Sequence, residues 1–321
     1  MATIKKLKLK LKSGLLSELQ SDTIFGHFAW RFKEQHGDER LEEFLDLFVN
    51  GNPVFTISDG LFEKNGEVFF PKPLKLTPPE FESKTKKERI KNFIAQKENK
   101  SRKLITVEQL NYFLSAKLDE FDKSLSKTDD KTYPKFEQDL RVHVEIDRET
   151  FSSKDGQLFT ENPKYLDKDT SLIVFVKILN QTKWDELHCE DILKNVFEIG
   201  YGKKKSTGYG HFEILSFEDY TKFEEPKESN GFISLSQYLP ANSDNIKDAF
   251  YDINVKYGKF GEEKSSSQNP FKPAMILMKP GSCFVTDKLN DFYGRAIKGF
   301  VDYQPKLVHN GIAFTLAVNL E

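Results

Sequence analysis

The stretch from Gly200 to Gly210 places four glycines around three consecutive lysines. Glycine lets the backbone approach a ligand closely and turn successive amides outward. Charge and hydroxyl groups come from five neighbouring side chains: Lys203, Lys204, Lys205, Ser206 and Thr207. Such a loop is suited to binding phosphates, although a basic surface turn has the same composition. It is not a Walker A loop, because that motif runs directly into a helix and this stretch precedes a predicted strand from His211.

His27 is a candidate general base. A metal-free ribonuclease needs a base near a 2′-hydroxyl and a cation for the developing charge, and Lys203 or Arg141 is available as the cation. The neighbours Phe25 and Phe28 favour a different interpretation, since a histidine between aromatic residues of a helix is commonly packed or hydrogen-bonded. Catalysis by His27 is therefore the alternative to a structural histidine.

Histidine, cysteine and glutamate are adjacent at His188, Cys189 and Glu190, but the sequence offers no second ligand pair at a spacing that suits zinc. The other cysteine, Cys283, is distant and no CxxC motif is present, so we predict no metal, no cofactor and no disulfide. The sequence also lacks the HExxH, GxSxG and Gly-Gly-Asp-Asp motifs. These absences favour a binding protein over a metalloenzyme, a hydrolase or a nucleotide cyclase.

The 321 residues carry 48 Lys and Arg against 50 Asp and Glu, a formal charge of -2, and 38% of them are hydrophobic. This balance excludes polyanion binding through net charge but leaves room for one local basic surface. The length predicts two domains, and the 29 Phe residues predict a Phe-rich core rather than exposed stacking platforms. Since no apolar run is long enough for a signal peptide or a membrane span, we expect a cytoplasmic protein with no membrane partner.

Alternating leucines and lysines from Ile4 to Lys12 predict the first strand. One side carries Leu7, Leu9 and Leu11, and the other carries Lys6, Lys8, Lys10 and Lys12. We therefore expect a half-buried strand whose basic face is open. Ser21 or Asp22 is the predicted N-cap of a following helix, and a second helix is predicted to end at Asn50-Gly51.

Strands are predicted over Val54–Phe62 and Val68–Phe70, with a tight turn at Asn65-Gly66. The segment Ser83–Lys103 then has nine basic residues against two acidic ones. It indicates a solvated insertion, which either tracks phosphates, docks on an acidic partner or does neither.

A capping box of Thr106 and Gln109 predicts a short helix, after which Asp119–Lys135 is polar and expected to be loose. Arg141–Ile146 alternates as a strand does. Ser171–Leu179 is almost continuously apolar, which is typical of an interior strand.

Together with a helix over 187–197, these elements predict an α+β protein of ferredoxin-like or RRM-like modules with long insertions, whose open sheet face is a binding surface. The first domain is expected over 1–220, with the insertion at about 83–135, and Glu218–Glu228 is the predicted linker. Short strands make 221–321 a smaller, more β-rich second domain. Within it, Tyr293, Arg295 and Lys298 form either a stacking and phosphate-binding turn or a plain connector.

The motifs taken together resemble the RAMP superfamily of CRISPR proteins, and within it the Cas five-like fourth subunits of type III-A Csm effector complexes. The resemblance rests on the basic first strand, on Ser21-Asp22-Thr23-Ile24-Phe25-Gly26 leading to Trp30, on Val144-Glu145-Ile146-Asp147-Arg148, and on Ser206-Thr207-Gly208-Tyr209-Gly210. It extends to Gly281-Ser282 and His309-Asn310-Gly311, whereas residues 83–135 match poorly.

This resemblance implies two ferredoxin-like modules, no catalysis, and a cap on the 5′ repeat-derived handle of a CRISPR RNA in antiviral defence. The implied partners are the polymerase-like large Csm subunit and the neighbouring backbone RAMP subunit. It places handle contacts at Ser21, in the loop from Gly202 to Gly208, and at Arg141, His143 and Arg148 around a central strand.

With the other basic candidates included, the predicted RNA contacts are Ser21, His27, Arg141, His143, Arg148, Gly202, Lys203, Lys204, Lys205, Ser206, Thr207, Gly208, Arg295 and Lys298. Two other functions stay open. One is a metal-free CRISPR repeat-processing endoribonuclease with His27 as general base, and the other is a scaffold whose glycine loop contacts protein.

Overall fold

The computed structural model of the chain describes residues 2–74, 102–125, 133–261 and 271–320, and for residues 154–157 it describes the backbone alone. The described helices are α1 (Ser21–Val49), α2 (Val107–Leu114), α3 (Leu118–Leu125), α4 (Gln181–Glu186) and α5 (Cys189–Ile199). In the first part of the chain the strands are β1 (Thr3–Leu11), β2 (Phe55–Ile57), β3 (Leu61–Lys64), β4 (Glu67–Pro71), β5 (Leu104–Thr106), β6 (Glu137–Gln138), β7 (Arg141–Ile146), β8 (Ser153–Glu161), β9 (Lys164–Tyr165), β10 (Thr170–Ile178) and β11 (Phe212–Asp219). The later strands are β12 (Gly231–Ser234), β13 (Ile246–Phe250), β14 (Ile253–Lys256), β15 (Met275–Met278), β16 (Cys283–Thr286), β17 (Ala296–Lys298), β18 (Val308–Asn310) and β19 (Thr315–Val318).

The predicted interior strand is confirmed as β10. It lies inside an antiparallel sheet of order β11-β1-β10-β3-β4-β5, and β2 also pairs with it. Its alternate side chains enter two different cores: Leu172 and Val174 pack on one face, and Ile173 and Phe175 pack on the other. A strand buried on both faces reads as a continuous apolar run, which explains why the sequence identified it.

Phenylalanines of α1 fill the first core. The ring centroids of Phe32 and Phe44 lie 4.6 Å apart, and those of Phe25 and Phe48 lie 4.8 Å apart. These pairs come from two helical segments, because α1 is interrupted at Gly37, whose φ is 84°. The two predicted helices and the Phe-rich core are therefore confirmed.

The prediction of an open basic face on β1 is wrong at Lys6 and Lys8 and holds at the end of that face, where Lys12 is exposed. Lys6 and Lys8 point towards the second core, where both pair with the buried carboxylate of Glu63 at 3.1 and 2.5 Å. Burial alone would raise the pKa of Glu63, but the hydrogen bonds from Lys8 and Lys6 lower it. The sheet of order β13-β16-β12-β19 and helix α2 contribute to the core on this side, for example through Phe314. Lysine stems cover apolar surface while their heads find a carboxylate, so the alternating pattern did not require an open face.

Three further local predictions need correction. The predicted strand Val54–Phe62 is divided into β2 and β3, because the chain turns at Ser58-Asp59-Gly60 to bury Asp59. The N-cap of α1 is Gln20 rather than Ser21 or Asp22. Part of the supposedly loose segment after Asp119 is α3, which buries Phe121. Phe121 is one apolar residue among charges, a signal too weak to predict a helix.

Other turns follow the sequence closely. Asn65 and Gly66 adopt positive φ between β3 and β4, and the capping box of Thr106 and Gln109 opens α2.

The basic segment Ser83–Lys103 lies, apart from Arg102 and Lys103, outside the described residues. No helix in the described part of the chain is long and apolar enough to cross a membrane.

The two proposed domains share the second core. It contains Ile173 and Phe175 of β10 together with Ile233, Leu316 and Val318 of the C-terminal part. The division near residue 220 stays a prediction, and the common core indicates that the two parts are stabilised by contact with each other.

Strand β7 is not central, which corrects another expectation. It pairs only with β8 among the described strands, and the resulting hairpin stands apart from the main sheet. Val142 is 61% exposed and Leu158 is 67% exposed. Apolar alternation on this hairpin therefore does not mark a buried sheet face.

Candidate nucleic-acid interface

A groove of about 1070 Å³ runs between α1, the glycine loop Gly200–Gly210, and strands β14 and β18. Residues from both ends of the sequence therefore form one surface. Nine lysines and three acidic residues line it: Lys33, Lys203, Lys204, Lys205, Lys256, Lys259, Lys272, Lys298, Lys306, Asp22, Asp38 and Glu42. A protein with a net charge of -2 thus concentrates positive charge in a single groove, as a polyanion site requires.

Two glycines of the loop are sterically required. Gly202 has a φ of 81°, and a Cβ there would lie 2.6 Å from Cβ of Ser17. Gly210 has a φ of 65°, and a Cβ there would lie 2.0 Å from the carbonyl oxygen of Tyr201. These positions explain why glycine brackets the three lysines, and the close approach holds the loop against the start of the chain.

Hydrogen bonds fix the loop to the segment before α1. The amide of Lys203 donates to Oγ of Ser17 at 2.9 Å, and the amide of Gly210 donates to the carbonyl of Gly14 at 2.9 Å. The buried Tyr201 hydroxyl donates to the carbonyl of Glu18 at 2.8 Å. The backbone of the loop is therefore held rigidly while the Lys203 side chain stays exposed.

His27 joins α1 to the same loop. Its Nε2 accepts a hydrogen bond from the amide of Gly202 at 3.2 Å, and its ring lies 4.9 Å from that of Tyr201. The nitrogen that a general base would use is thus engaged by backbone in this structure. This geometry supports a positioning role for His27 in the groove wall.

Lys256 connects β14 to the start of α1. Its ammonium group donates to Oδ1 of Asp22 at 2.6 Å, to Oε1 of Gln20 at 2.7 Å and to Oγ1 of Thr23 at 2.7 Å. Lys256 was not among the predicted contacts. A lone lysine at the end of an alternating strand gives no sign that it pairs across more than two hundred residues of sequence.

His309 of β18 also lines the groove, and its side chain is buried. Its Nδ1 lies 4.0 Å from Oδ2 of Asp22, and burial lowers the pKa of His309 to about 4. The imidazole is therefore neutral at physiological pH and offers hydrogen bonding without charge. His309 belongs to a motif of the family resemblance but was not among the predicted contacts.

Aromatic side chains lie beside the lysines. Tyr257 follows β14 and is 74% exposed, and Trp30 lines the groove from α1. The ammonium of Lys33 lies 5.4 Å from the Trp30 ring centroid. Exposed aromatic faces among cations are the surfaces on which unpaired bases stack. Tyr257 was not predicted, since the strand pattern of its neighbours indicated only a sheet.

The predicted contacts on the hairpin lie beside the loop rather than in the groove. Oε2 of Glu161 lies 3.3 Å from Nε2 of His143, and Glu161 also pairs with Lys204 of the loop. Arg141 donates to the hydroxyl of Tyr165 at 2.7 Å. Arg148 lies exposed in the turn at the hairpin tip.

The remaining predicted contacts separate into three groups. Ser21 is buried and its amide donates to Oδ1 of Asp59 at 2.9 Å, so its side chain does not line the groove. Ser206, Thr207 and Gly208 are exposed on the outer turn of the loop. Lys298 lines the groove and pairs with Asp46 at 2.7 Å, whereas Arg295 is exposed outside it.

Tyr293 is not available for stacking on a base, which corrects the stacking interpretation of its turn. It is buried, and its ring is stacked on Phe232 with centroids 3.6 Å apart. An aromatic residue next to a glycine gives the same sequence signal whether its ring packs inward or outward.

The adjacent His188, Cys189 and Glu190 do not converge. Cys189 is buried in the first core, and this burial raises the pKa of its thiol to about 12. Within the described ranges, no group of three or more His, Cys, Asp or Glu side chains is placed to hold a metal ion.

One comparison with known proteins identifies the family of this chain. The sequence model of the RAMP superfamily matches residues 7–213, more than half of the chain. No curated protein matches the sequence significantly.

Similar folds occur in two solved assemblies. One is a chain of the crystal structure of the Csm3-Csm4 subcomplex in the type III-A CRISPR-Cas interference complex, with 16% identity, a TM-score of 0.63, and coverage of 99% of this chain and 100% of that one. The other belongs to the Csm1-Csm4 cassette in complex with cA4, with 16% identity, a TM-score of 0.64 and 99% coverage of both chains. At this identity the likeness describes the fold, and it extends over the whole chain.

Proposed function

Because the chain belongs to the RAMP superfamily, we propose that it is a non-catalytic RNA-binding subunit of a type III-A CRISPR effector complex. In this proposal the groove holds the 5′ repeat-derived handle of the CRISPR RNA. The protein also bridges the large subunit and the neighbouring backbone subunit of the complex.

The observation that carries the RNA role is the groove itself. Its lining combines nine lysines, three of them in the glycine loop, with the rings of Trp30 and Tyr257. Cations bind phosphates and aromatic rings stack on bases, and both are needed for a short single strand whose bases are unpaired.

Unpartnered apolar surface supports the bridging role. On the β7–β8 hairpin, Val142 and Val144 lie opposite Thr160 and Leu158, and the apolar members of this face are exposed. On the β14–β15 pair, Val255 lies opposite Ile276 and both are exposed. Exposed apolar faces of this kind are typical of subunits that bury them in an assembly.

The solved assemblies with a similar fold have neighbours of two kinds. One pairs Csm4 with Csm1, and the other pairs it with Csm3. We assign the equivalent large and backbone subunits as partners of this chain.

Ribonuclease activity is the alternative within the same superfamily. His27 lies in the groove beside Lys203, but Nε2 is occupied by the Gly202 amide. Replacing His27 by Ala separates the two functions, with guide maturation followed in cells. Maturation should continue, whereas its loss with an intact complex would support catalysis.

Photochemical crosslinking tests the RNA role of the loop directly. The wild-type complex and a variant with Lys203, Lys204 and Lys205 replaced by Ala are irradiated, and RNA-linked peptides are identified by mass spectrometry. We expect crosslinks in the loop and at Tyr257 that fall sharply in the variant. Unchanged handle crosslinking would remove the loop from the interface and favour a scaffold role.

A further inference from the structure

The ammonium group of Lys204 is paired with a carboxylate of the β7–β8 hairpin, Glu161. Resting on the proposed RNA role of the loop, we propose that Glu161 masks Lys204. An RNA phosphate must displace this carboxylate to reach Lys204, and the displacement loosens the hairpin against the loop.

The carboxylate of Glu161 is buried between basic side chains. Its side chain is 2% exposed, and its two carboxylate oxygens face Lys204 and His143. The hydrogen bond from Lys204 is the main reason that the pKa of Glu161 is lowered, with smaller contributions from Tyr209 and His143. The carboxylate is therefore ionised at neutral pH and needs a nearby positive charge.

Lys204 is held in an unusual backbone conformation. Its φ is 59°, a left-handed value that non-glycine residues seldom adopt, and its ammonium lies 5.0 Å from the ring centroid of Phe159. The side chain also lines the groove and is about one-third exposed. A flexible four-carbon stem lets one ammonium group reach either the carboxylate or a phosphate in the groove.

The Lys204–Glu161 ion pair connects the glycine loop to the β7–β8 hairpin, which is not part of the main sheet. The hairpin face with His143, Phe159 and Glu161 lies towards the loop, and the opposite face with Val144 and Leu158 is exposed. Arg141 holds the neck of the hairpin through Asp139 and Tyr165. Tyr209 of the loop also contacts Glu161 and Arg141. Loss of the Lys204 contact therefore loosens the hairpin while its neck stays attached.

The test uses a double-mutant cycle on the purified full-length chain with a short fluorescent single-stranded RNA of mixed sequence. Glu161→Gln removes the negative charge but keeps the shape. We expect binding to tighten about fivefold, because the ion pair with the partly exposed Lys204 no longer competes with phosphate. The plot of log K against log salt should steepen by about 0.7 for the added phosphate contact. In a Lys204→Met background the same substitution should have no effect.

A matched control removes a carboxylate from an ion pair outside the groove. Asp287 pairs with Lys247 at the exposed edge strand β13, and Asp287→Asn should leave RNA affinity unchanged. Hydrogen exchange gives an independent readout. Adding RNA should accelerate exchange in β7 and β8 of the wild type, and Glu161→Gln should exchange rapidly without RNA.

Three results would overturn the masking proposal: weaker or equal binding by Glu161→Gln, equal tightening in the Lys204→Met background, or unchanged exchange in the hairpin on addition of RNA. Failure of the underlying RNA role gives a different result. In that case Lys203→Ala and the wild type bind the RNA equally, whatever residue occupies position 161.

Discussion

The amide of Gly202 donates a hydrogen bond to Nε2 of His27 at 3.2 Å. This contact crosses 175 positions of sequence and connects the groove wall formed by α1 to the loop that presents the lysines. Because Nε2 accepts this bond, it carries no proton, and the N–H group of the imidazole is at Nδ1. His27 therefore holds the backbone of the lysine loop against α1.

Replacing His27 by Ala removes this acceptor and should weaken RNA binding about tenfold, because an amide left without a partner costs about 1–3 kcal/mol. His27→Gln retains an acceptor and should recover part of the affinity. Fluorescence anisotropy with a short single-stranded RNA measures both. Wild-type affinity in His27→Ala would contradict the positioning role.

Two glycines in one loop provide a matched pair for testing backbone geometry. A Cβ at Gly210 would collide with the Tyr201 carbonyl, whereas a Cβ at Gly208 meets open space at a φ of 97°. Gly208→Ala should cost about 1 kcal/mol of stability through φ alone, and Gly210→Ala should cost substantially more and abolish RNA binding. Urea unfolding and RNA binding give the two readouts. Equal effects at both positions would show that the close approach to Tyr201 does not matter.

The buried carboxyl group of Asp59 should make the free energy of unfolding depend on pH. It is fully buried, and burial raises its pKa to about 6 although hydrogen bonds from Ser21 and Gln237 oppose the shift. Since the folded state binds the proton more tightly than the unfolded chain, stability from this group rises as pH falls through about 6 towards 4.

Asp59→Asn should remove that dependence. Its stability relative to the wild type should rise between pH 4 and pH 7 by up to about 3 kcal/mol. The amide of Gln237 can rotate to accept from the new Asn, because its Oε1 has no hydrogen-bond partner. Urea unfolding at several pH values checks this, with the exposed Asp287→Asn as control. A relative stability that falls with pH would contradict the raised pKa.

The exposed face of the β7–β8 hairpin predicts a partner contact. Val144 is exposed, so Val144→Glu should leave the thermal stability of the chain nearly unchanged. Burying a charge against a partner is costly, so recovery of at least one partner subunit in affinity purification should fall. Lys247→Glu, on the exposed edge strand β13, is the control. Normal recovery with Val144→Glu would exclude this face from the assembly.

Local patterns predicted the parts of the fold that depend on neighbouring residues. The interior strand β10, the hairpin turn at Asn65-Gly66 and the capping box at Thr106 were all identified from a few consecutive residues. The glycine loop was identified as well, because four glycines around three lysines are needed only where backbone is tightly constrained. Its position between α5 and β11 follows from the same local patterns.

The rest of the groove depends on contacts between distant segments. Lys256 and His309 meet the start of α1 only after the second part of the chain has folded against the first. The lysines of β1 show the same dependence on distant segments. Their alternation predicted an open face, but Lys6 and Lys8 form ion pairs with Glu63 of β3. A sequence pattern gives the side of a strand on which a charge lies but does not identify what covers it.

Sequencing of the RNA bound to the tagged protein, purified from its native host, tests the central claim most directly. The account predicts short RNAs that share one repeat-derived 5′ end, recovered together with large and backbone subunits. Their recovery should fall when Lys203, Lys204 and Lys205 are replaced by Ala. Unprocessed repeat RNA without partner proteins would contradict the account in favour of a processing enzyme, and the absence of RNA would contradict any RNA-binding role.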